Sequence, residues 1–188
     1  MSRWPSNPRG RLAQAAMDLF AERGFDQTTV ADIAARAGLT ERTFFRHFTD
    51  KREVLFYGGQ LLQEVMVAAV AAAPPDATPL AVVAAAVGAV APAFAERRPG
   101  ALVRQGIIEA HPELQEREVG KLARLAQAVA DGLRQRGVPD PAARLAADAG
   151  VAVFRAAFAQ WLASADRDMG SLIEECFDEL IALAEAGR

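Results

Sequence analysis

The sequence predicts an all-α protein of about nine helices, and three observations carry this prediction. Alanine dominates an apolar fraction that makes up 52% of the 188 residues, and alanine has the highest intrinsic helix propensity. No stretch of six or more residues alternates cleanly between apolar and polar side chains, as a half-buried strand would. Apolar residues recur instead at helical spacing between turns that contain proline or glycine.

The segment from Thr28 to Arg52 predicts two short helices that meet at a glycine, the arrangement of a helix-turn-helix. Thr29 can cap the first helix and Thr40 the second, because a threonine hydroxyl accepts hydrogen bonds from the free N–H groups at a helix start. Gly38 permits the sharp turn between the two helices, since it has no Cβ to clash at positive φ.

The second helix of this segment has an apolar side and a polar side. Phe44 and Phe48 lie four residues apart and are expected to be buried. Arginine, threonine and glutamate on the other side can read base edges in the DNA major groove. Lys51 and Arg52 follow at the start of the next helix, where the helix end and the lysine charge can hold a phosphate. The same geometry also occurs as simple packing, so a helical interaction or scaffold protein is the alternative.

Residues 9–57 resemble the DNA-binding domain of the TetR family of transcriptional regulators. The resemblance is carried by a first helix with apolar positions at Leu12, Ala16, Leu19 and Phe20, followed by E-R-G-F (22–25), T-T-V-A-D-I-A-A-R-A-G-L-T (28–40) and T-F-F-R-H-F-T-D-K-R-E-V-L (43–55). It implies a homodimer that binds a palindromic double-stranded DNA operator. Such proteins usually repress transcription and are released by a small-molecule effector in the C-terminal domain, and a TetR-like activator is the variant that remains open.

The resemblance also implies roles for individual residues. Thr29, His47 and Lys51 match phosphate contacts, and the residues from Thr40 to Thr43 match the part of the recognition helix that reads bases. Phe45 departs from the family pattern, which most often has tyrosine there, so a hydroxyl that could bond a phosphate is missing. The complete predicted DNA-binding set is Thr29, Thr40, Glu41, Arg42, Thr43, Phe45, Arg46, His47 and Lys51.

Charge divides the chain in the same way. Residues 1–52 hold nine Lys or Arg against six Asp or Glu, a net charge of +3, whereas residues 53–188 hold twelve against eighteen, a net charge of −6. A basic N-terminal part on an acidic body suits DNA binding at one end only. We therefore expect a three-helix DNA-binding domain over residues 1–52 and a helical ligand-binding and dimerisation domain over residues 53–188.

The remaining helices are predicted from turn signals in order along the chain. Proline pairs and glycines delimit them as follows: about 51–73, ending at Pro74-Pro75; 80–97, kinked at Pro92; 101–110, after a break at Pro99-Gly100; 113–136, ending at Gly137; 142–163; and 169–185. In the last two helices, large apolar residues repeat over a face wider than one neighbour needs. The predicted dimer surface consists of Phe154, Phe158, Leu172, Ile173, Cys176, Phe177, Leu180 and Ile181.

An apolar effector pocket is expected between the middle helices. Its candidate residues are Phe94, Leu102, Arg104, Ile107, Ile108, Phe154, Phe158 and Trp161. Arg104 needs a partner if it is buried, and that partner is either a ligand anion or an acidic side chain. The segments 102–114 and 154–162 also resemble a TetR branch of actinobacteria that is associated with acyl-coenzyme A ligands.

Nothing in the sequence predicts catalysis, a cofactor or a metal site. The two histidines, His47 and His111, have no Cys or His near them, and no phosphate-binding glycine motif follows a strand. The single Cys176 excludes an intrachain disulfide. Residues 1–10 have no apolar core of a signal peptide, and the apolar run 65–73 is too short to span a bilayer. These features predict a cytoplasmic protein without a membrane partner.

Overall fold

Helix starts in this chain coincide with capping side chains and prolines. The computed structural model describes residues 7–187, which contain ten α-helices, one 3-10 helix and no strand. The all-α prediction is therefore confirmed for the described residues. The prediction about the first ten residues lies partly outside them, since residues 1–6 are not described.

The first compact unit contains the residues up to Gln60 together with Arg97–Glu118. Its helices are α1 (Pro8–Arg23), α2 (Val30–Arg36), α3 (Glu41–His47), α4 (Lys51–Val54) and α7 (Arg98–Ala110). Helix α1 is the centre of this unit, because α2, α3, α4 and α7 all pack against it. Its buried face of leucine, alanine and phenylalanine side chains supplies much of the core.

The second unit contains Leu61–Glu96 and Val119–Arg188. It includes α6 (Pro79–Gly88), the 3-10 helix (Ala91–Phe94), α9 (Asp140–Ala163) and α10 (Met169–Ala186). Helix α10 packs against α9, α6 and the 3-10 helix. The two remaining helices, α5 (Tyr57–Ala72) and α8 (Pro112–Gln135), have their first residues in the first unit and the others in the second. The predicted functional boundary at residue 52 stays a prediction.

Three helix boundaries differ from those predicted. The helix expected over residues 51–73 is divided into α4 and α5 by a turn at Leu55 and Phe56. Helix α6 ends at Gly88, because Pro92 has no N–H and its ring clashes with the carbonyl group four residues earlier. Pro99 lies in the first turn of α7 and does not break the chain there, since N–H groups in a first turn need no helical partner.

Helices α6 and α9 approach each other closely at Gly150. A Cβ added to Gly150 would lie 2.2 Å from Cγ1 of Val83. We expect Gly150→Ala to destabilise the second unit by about 1–3 kcal/mol, because overpacking forces neighbouring side chains or helices apart. Urea denaturation followed by circular dichroism measures this loss. Gly106→Ala in α7 is the matched control, since nothing lies within 4 Å of its added Cβ, and there alanine should stabilise by about 0.5–1 kcal/mol. Equal changes in the free energy of unfolding for Gly150→Ala and Gly106→Ala would contradict the close approach of α6 and α9 at Gly150.

One stretch among the described residues, Lys51–Ala72, which comprises α4, the turn and α5, is long and apolar enough to cross a membrane by length and composition. The apolar run at 65–73 lies at the C-terminal end of this stretch. Length and composition alone do not separate a membrane span from a core helix of a soluble protein.

Candidate nucleic-acid interface

The turn between α2 and α3 is closed by backbone hydrogen bonds of the kind that end many helices. The N–H of Leu39 donates to the carbonyl of Ala34 at 2.9 Å, and the N–H of Gly38 donates to Ala35 at 3.0 Å. This pair of bonds is a Schellman motif, which requires a left-handed residue after the helix. Gly38 supplies it with φ of 63°. The predicted role of Gly38 in the turn is confirmed.

Both predicted threonine caps are present. The Thr29 hydroxyl accepts from the N–H of Asp32 at 3.1 Å, and the Asp32 carboxylate accepts from the Thr29 N–H at 3.0 Å and from its hydroxyl at 2.6 Å. These bonds from Thr29 hold the pKa of Asp32 below its usual value. Thr40 accepts from the N–H of Thr43 at 3.2 Å at the start of α3. The starts of α2 and α3 are thus both set by local side chains.

Helix α3 presents one buried side and one accessible side, as predicted. Phe44 has no exposed surface and Phe48 is 2% exposed, with their ring centroids 5.5 Å apart. On the other side Phe45 is 56% exposed. The remaining side chains of the predicted base-reading set lie as follows: Glu41, Arg42 and Arg46 are exposed, and Thr43 is half-buried. None of the three charged ones makes a hydrogen bond or ion pair within residues 7–187. This accessible side can therefore donate to and accept from base edges without breaking internal bonds.

His47 lies differently from the prediction of an outward side chain. It is half-buried, and its Nε2 atom is buried without a hydrogen-bond partner among the described residues. Burial lowers the pKa of His47, and the positive charges of Arg46 and Arg9 lower it further. A lowered pKa disfavours the positively charged imidazolium and the side chain is half-buried, so this geometry does not favour the predicted phosphate contact, which stays a prediction.

Lys51 also has a different environment from that expected of a phosphate ligand. Its Nζ donates to the carbonyl oxygens of Phe25 at 2.7 Å, Thr28 at 3.0 Å and Asp26 at 3.2 Å. The same atom lies 4.5 Å from the centroid of the Phe25 ring. An ammonium group has three N–H donors, and all three have protein acceptors here. Lys51 thus connects the loop between α1 and α2 to α4, and the predicted phosphate contact stays a prediction that this geometry does not favour.

Two contacts near the turn were not predicted from the sequence. Arg36 on α2 forms two hydrogen bonds, of 2.8 and 2.7 Å, with the carboxylate of Glu22 on α1. Arg11 on α1 donates to backbone carbonyls of the turn after α2. The partners are separated by 14 to 27 residues, and sequence periodicity reports only on residues within one helix. The one sequence feature that could have indicated these contacts is the presence of a basic residue next to the helix-turn-helix.

The eight residues predicted for an effector pocket divide between the two units. Leu102, Arg104, Ile107 and Ile108 belong to the first unit, and Phe94, Phe154, Phe158 and Trp161 belong to the second. The four aromatic rings form a cluster with centroid distances of 5.3 to 6.0 Å. The eight residues thus form two groups, one in each unit, and their role in an effector pocket stays a prediction.

The partner of Arg104 is an acidic side chain of the chain itself. Its Nη2 donates to Glu118 at 2.6 Å and its Nε donates to the carbonyl of Leu55 at 2.6 Å. Its guanidinium also lies 5.5 Å from the Phe56 ring. Of the two partners that the sequence left open, the structure contains the carboxylate, and Arg104 needs no ligand anion.

A groove of about 620 Å³ lies in the second unit between α6 and α10. Small residues of α6 such as Ala81 and Ala84 form one wall, and Ile173 and Phe177 of α10 form the other. None of the eight predicted pocket residues lines it. Within residues 7–187, no three His, Cys, Asp or Glu side chains are close enough together to hold a metal ion.

Half of the residues predicted for the dimer surface belong to the core of the second unit. Leu172, Ile173, Phe177 and Phe154 are at most 8% exposed, because α10 packs against α9 and α6. These four side chains pack mainly within their own unit, which does not favour a place at the dimer surface, and the predicted interface stays a prediction. The predicted residues that retain accessible surface are Phe158, Cys176, Leu180 and Ile181, and Leu183 on the same helix is 65% exposed.

Two protein-family models match this chain. The model of bacterial regulatory proteins of the tetR family matches residues 12–57. The model of the MftR C-terminal domain matches residues 77–184, which is more than half of the 188 residues. The first match contains the helix-turn-helix described above, and the second contains the aromatic cluster.

Curated relatives match over shorter stretches. The transcriptional regulator TcmR of Streptomyces glaucescens is 38% identical over 72 residues, which are 38% of this chain and 32% of that protein. The transcriptional repressor KstR2 of Mycobacterium tuberculosis is 45% identical over 47 residues, which are 25% of this chain and 24% of that protein. The matched region thus spans about a third of one relative and a quarter of the other.

Solved structures are similar over nearly the whole chain. A TetR transcriptional regulator of Nitrosomonas europaea superposes with a TM-score of 0.66 at 18% identity, covering 95% of this chain and 99% of that one. The regulator PfmR of Thermus thermophilus gives 0.53 at 23% identity, covering 89% and 95%. At these identities the likeness demonstrates a shared fold.

Proposed function

Because the chain belongs to the TetR family of bacterial regulatory proteins, we propose that it is a DNA-binding transcriptional repressor that acts as a homodimer on a palindromic operator. The observation that carries the proposal is the accessible side of α3, where Glu41, Arg42 and Arg46 stand outward while Phe44 and Phe48 anchor the helix from behind. A repressor is proposed over an activator because relatives such as KstR2 are named repressors.

In this proposal α3 is the recognition helix and lies in the major groove. Arg42 contacts a guanine, since its fork of N–H donors matches the O6 and N7 acceptors of that base. Phe45 contacts a thymine methyl or a sugar, because it is the exposed apolar side chain of the helix. Twofold symmetry of the dimer requires two half-sites about one turn of DNA apart, or a multiple of it.

Replacing Arg42 should weaken operator binding without weakening the fold. We expect Arg42→Ala to lose about 1–3 kcal/mol per half-site, or about 5- to 150-fold in affinity, because a bidentate base contact is lost. The measurement is a gel-shift titration at fixed salt on duplex DNA from the promoter of its own gene. Arg124→Ala in α8 is the matched control, since it removes the same charge from an exposed position in the second unit.

The outcomes of this titration separate the rival functions. Unchanged affinity of Arg42→Ala would exclude Arg42 as a base-reading residue. Absence of any salt-dependent duplex binding by the natural protein would favour the helical scaffold over the regulator, because phosphate neutralisation makes DNA binding strongly salt-dependent.

We further propose that an apolar effector binds in the second unit and releases the operator. The supporting observation is the cluster of Phe94, Phe154, Phe158 and Trp161, in which Phe94 and Phe158 are only half-buried. An acyl-coenzyme A is the first compound to test, because residues 102–114 and 154–162 resemble the TetR branch that is associated with acyl-coenzyme A ligands. A ligand releases DNA only to the extent that it prefers the conformation that binds DNA poorly.

The effector experiment adds acyl-coenzyme A, coenzyme A or the free fatty acid to the protein–DNA complex. Release by the acyl compound alone supports the proposal, and release by none of the three contradicts this choice of effector. Quenching of Trp161 fluorescence in a Trp4→Phe background tests whether the ligand reaches the aromatic cluster.

A further inference from the structure

Two backbone carbonyl groups just after α2 accept hydrogen bonds from a side chain of α1. A helix end leaves its last carbonyl groups without partners inside the helix. The carbonyls of Ala37 and Gly38 accept hydrogen bonds from Nη2 of Arg11, at 2.7 and 3.3 Å. Arg11 therefore connects α1 directly to the turn that precedes α3, across 26 residues of sequence.

We propose that Arg11 is a positioning residue for sequence-specific DNA binding, which rests on the function proposed above. The guanidinium contacts the chain two to three residues before Thr40, the N-cap of α3. By bonding the last residue of the turn and the residue before it, Arg11 sets where α3 begins relative to α1. A cation also suits this place electrostatically, because the C-terminal end of α2 carries partial negative charge.

Positioning of this kind acts on specificity more than on general affinity. Base contacts depend on functional side chains held within about 0.5 Å of their productive positions, whereas phosphate contacts carry no sequence information. Loss of the Arg11 bonds should therefore weaken binding to the operator while leaving binding to an unrelated duplex nearly unchanged.

A direct phosphate contact by Arg11 is the competing role, because the residue is exposed. The two roles predict different salt dependence. Each phosphate contact contributes about 0.9 to the slope of log affinity against log salt concentration. A positioning residue lowers the affinity for the operator and leaves this slope unchanged.

The test compares Arg11→Met and Arg11→Lys on the operator and on an unrelated duplex of equal length, over a series of salt concentrations. For Arg11→Met we expect about a tenfold loss on the operator, less than twofold on the unrelated duplex, and an unchanged slope. Arg11→Lys keeps a charged donor and should restore part of the loss. Arg23→Met is the matched control, because Arg23 lies on the same helix and pairs with Asp32 at 3.6 Å without bonding the turn.

A second measurement uses no DNA. Hydrogen exchange at the amides of Gly38 and Leu39 should be faster in Arg11→Met than in the natural protein, at a temperature where both remain folded. Equal losses on both duplexes with a smaller slope, or unchanged exchange at the turn, would overturn the proposal. The proposal would also be overturned if Arg11→Met had a lower unfolding temperature but the same ratio of affinity for the operator to affinity for the unrelated duplex as the natural protein. If the natural protein binds no duplex, the proposed function fails, and the exchange measurement alone decides whether Arg11 holds the turn.

Discussion

Replacing Phe44 by alanine is expected to cost about 3–5 kcal/mol of stability in the first unit. Phe44 has no exposed surface and packs with Phe48 and Phe45 at ring-centroid distances of 5.5 and 5.6 Å. Phe44→Ala removes this buried area and leaves a cavity behind α3, and both effects destabilise the folded state. Whole domains are stable by only about 5–15 kcal/mol. The loss should therefore raise the fraction of molecules in which α3 is unfolded.

The neighbouring Phe45 is a matched control with the opposite expectation. It is 56% exposed, so Phe45→Ala should change stability by less than about 0.5 kcal/mol and reduce DNA affinity instead. Urea denaturation followed by circular dichroism gives the stability of both variants, and amide exchange in α3 shows whether the loss is local. Similar losses of stability in the two variants would contradict the assignment of the buried and accessible sides of α3.

The parts of the helix-turn-helix that could be predicted are those with local causes. Thr29 and Thr40 accept hydrogen bonds from N–H groups only three residues away, and Gly38 has the positive φ that a Schellman motif requires. The burial of Phe44 and Phe48 was predictable from their spacing of four residues, although Phe48 lies at the C-cap of α3 and not inside the helix. Each of these signals is contained within a few residues of the chain.

The parts that could not be predicted depend on distant partners or on competition between signals. Arg104 donates a hydrogen bond to Glu118, which is fourteen residues away in the sequence. Helical periodicity gives no information about such a pair. The apolar repeat of α10 did not reveal which side chains face the chain's own core, because an apolar face has the same pattern against α9 and against a second subunit. This pattern therefore predicts Leu172 at the dimer surface, although the side chain is fully buried within its own unit.

Lys51 gives the sharpest contrast between the sequence and the structure. The family resemblance predicts a phosphate ligand, whereas the structure has the ammonium group bound to the carbonyls of Phe25, Asp26 and Thr28. Burial lowers the pKa of Lys51. This direction agrees with an ammonium group that is shielded from water and bonded to backbone carbonyl groups. Both readings predict weaker DNA binding when the lysine is removed, and so binding affinity alone does not separate them.

Stability and salt dependence together separate the two roles of Lys51. Lys51→Met keeps most of the apolar stem and removes the charge, and we expect a loss of about 2–3 kcal/mol, because carbonyl groups near the buried Thr28 lose a charged donor. The salt dependence of operator binding should keep its slope. Arg52→Met is the control, since Arg52 is exposed and its ion pair with Glu113 is 4.0 Å long, so its effect on stability should stay below about 0.5 kcal/mol. If Lys51→Met instead retains full stability and lowers the slope by about 0.9 for each protomer of the dimer, the side chain holds a phosphate and the structural assignment is wrong. That result would require the ammonium group to leave three carbonyl oxygens when DNA binds, and the free energy of that exchange would then be part of the operator affinity.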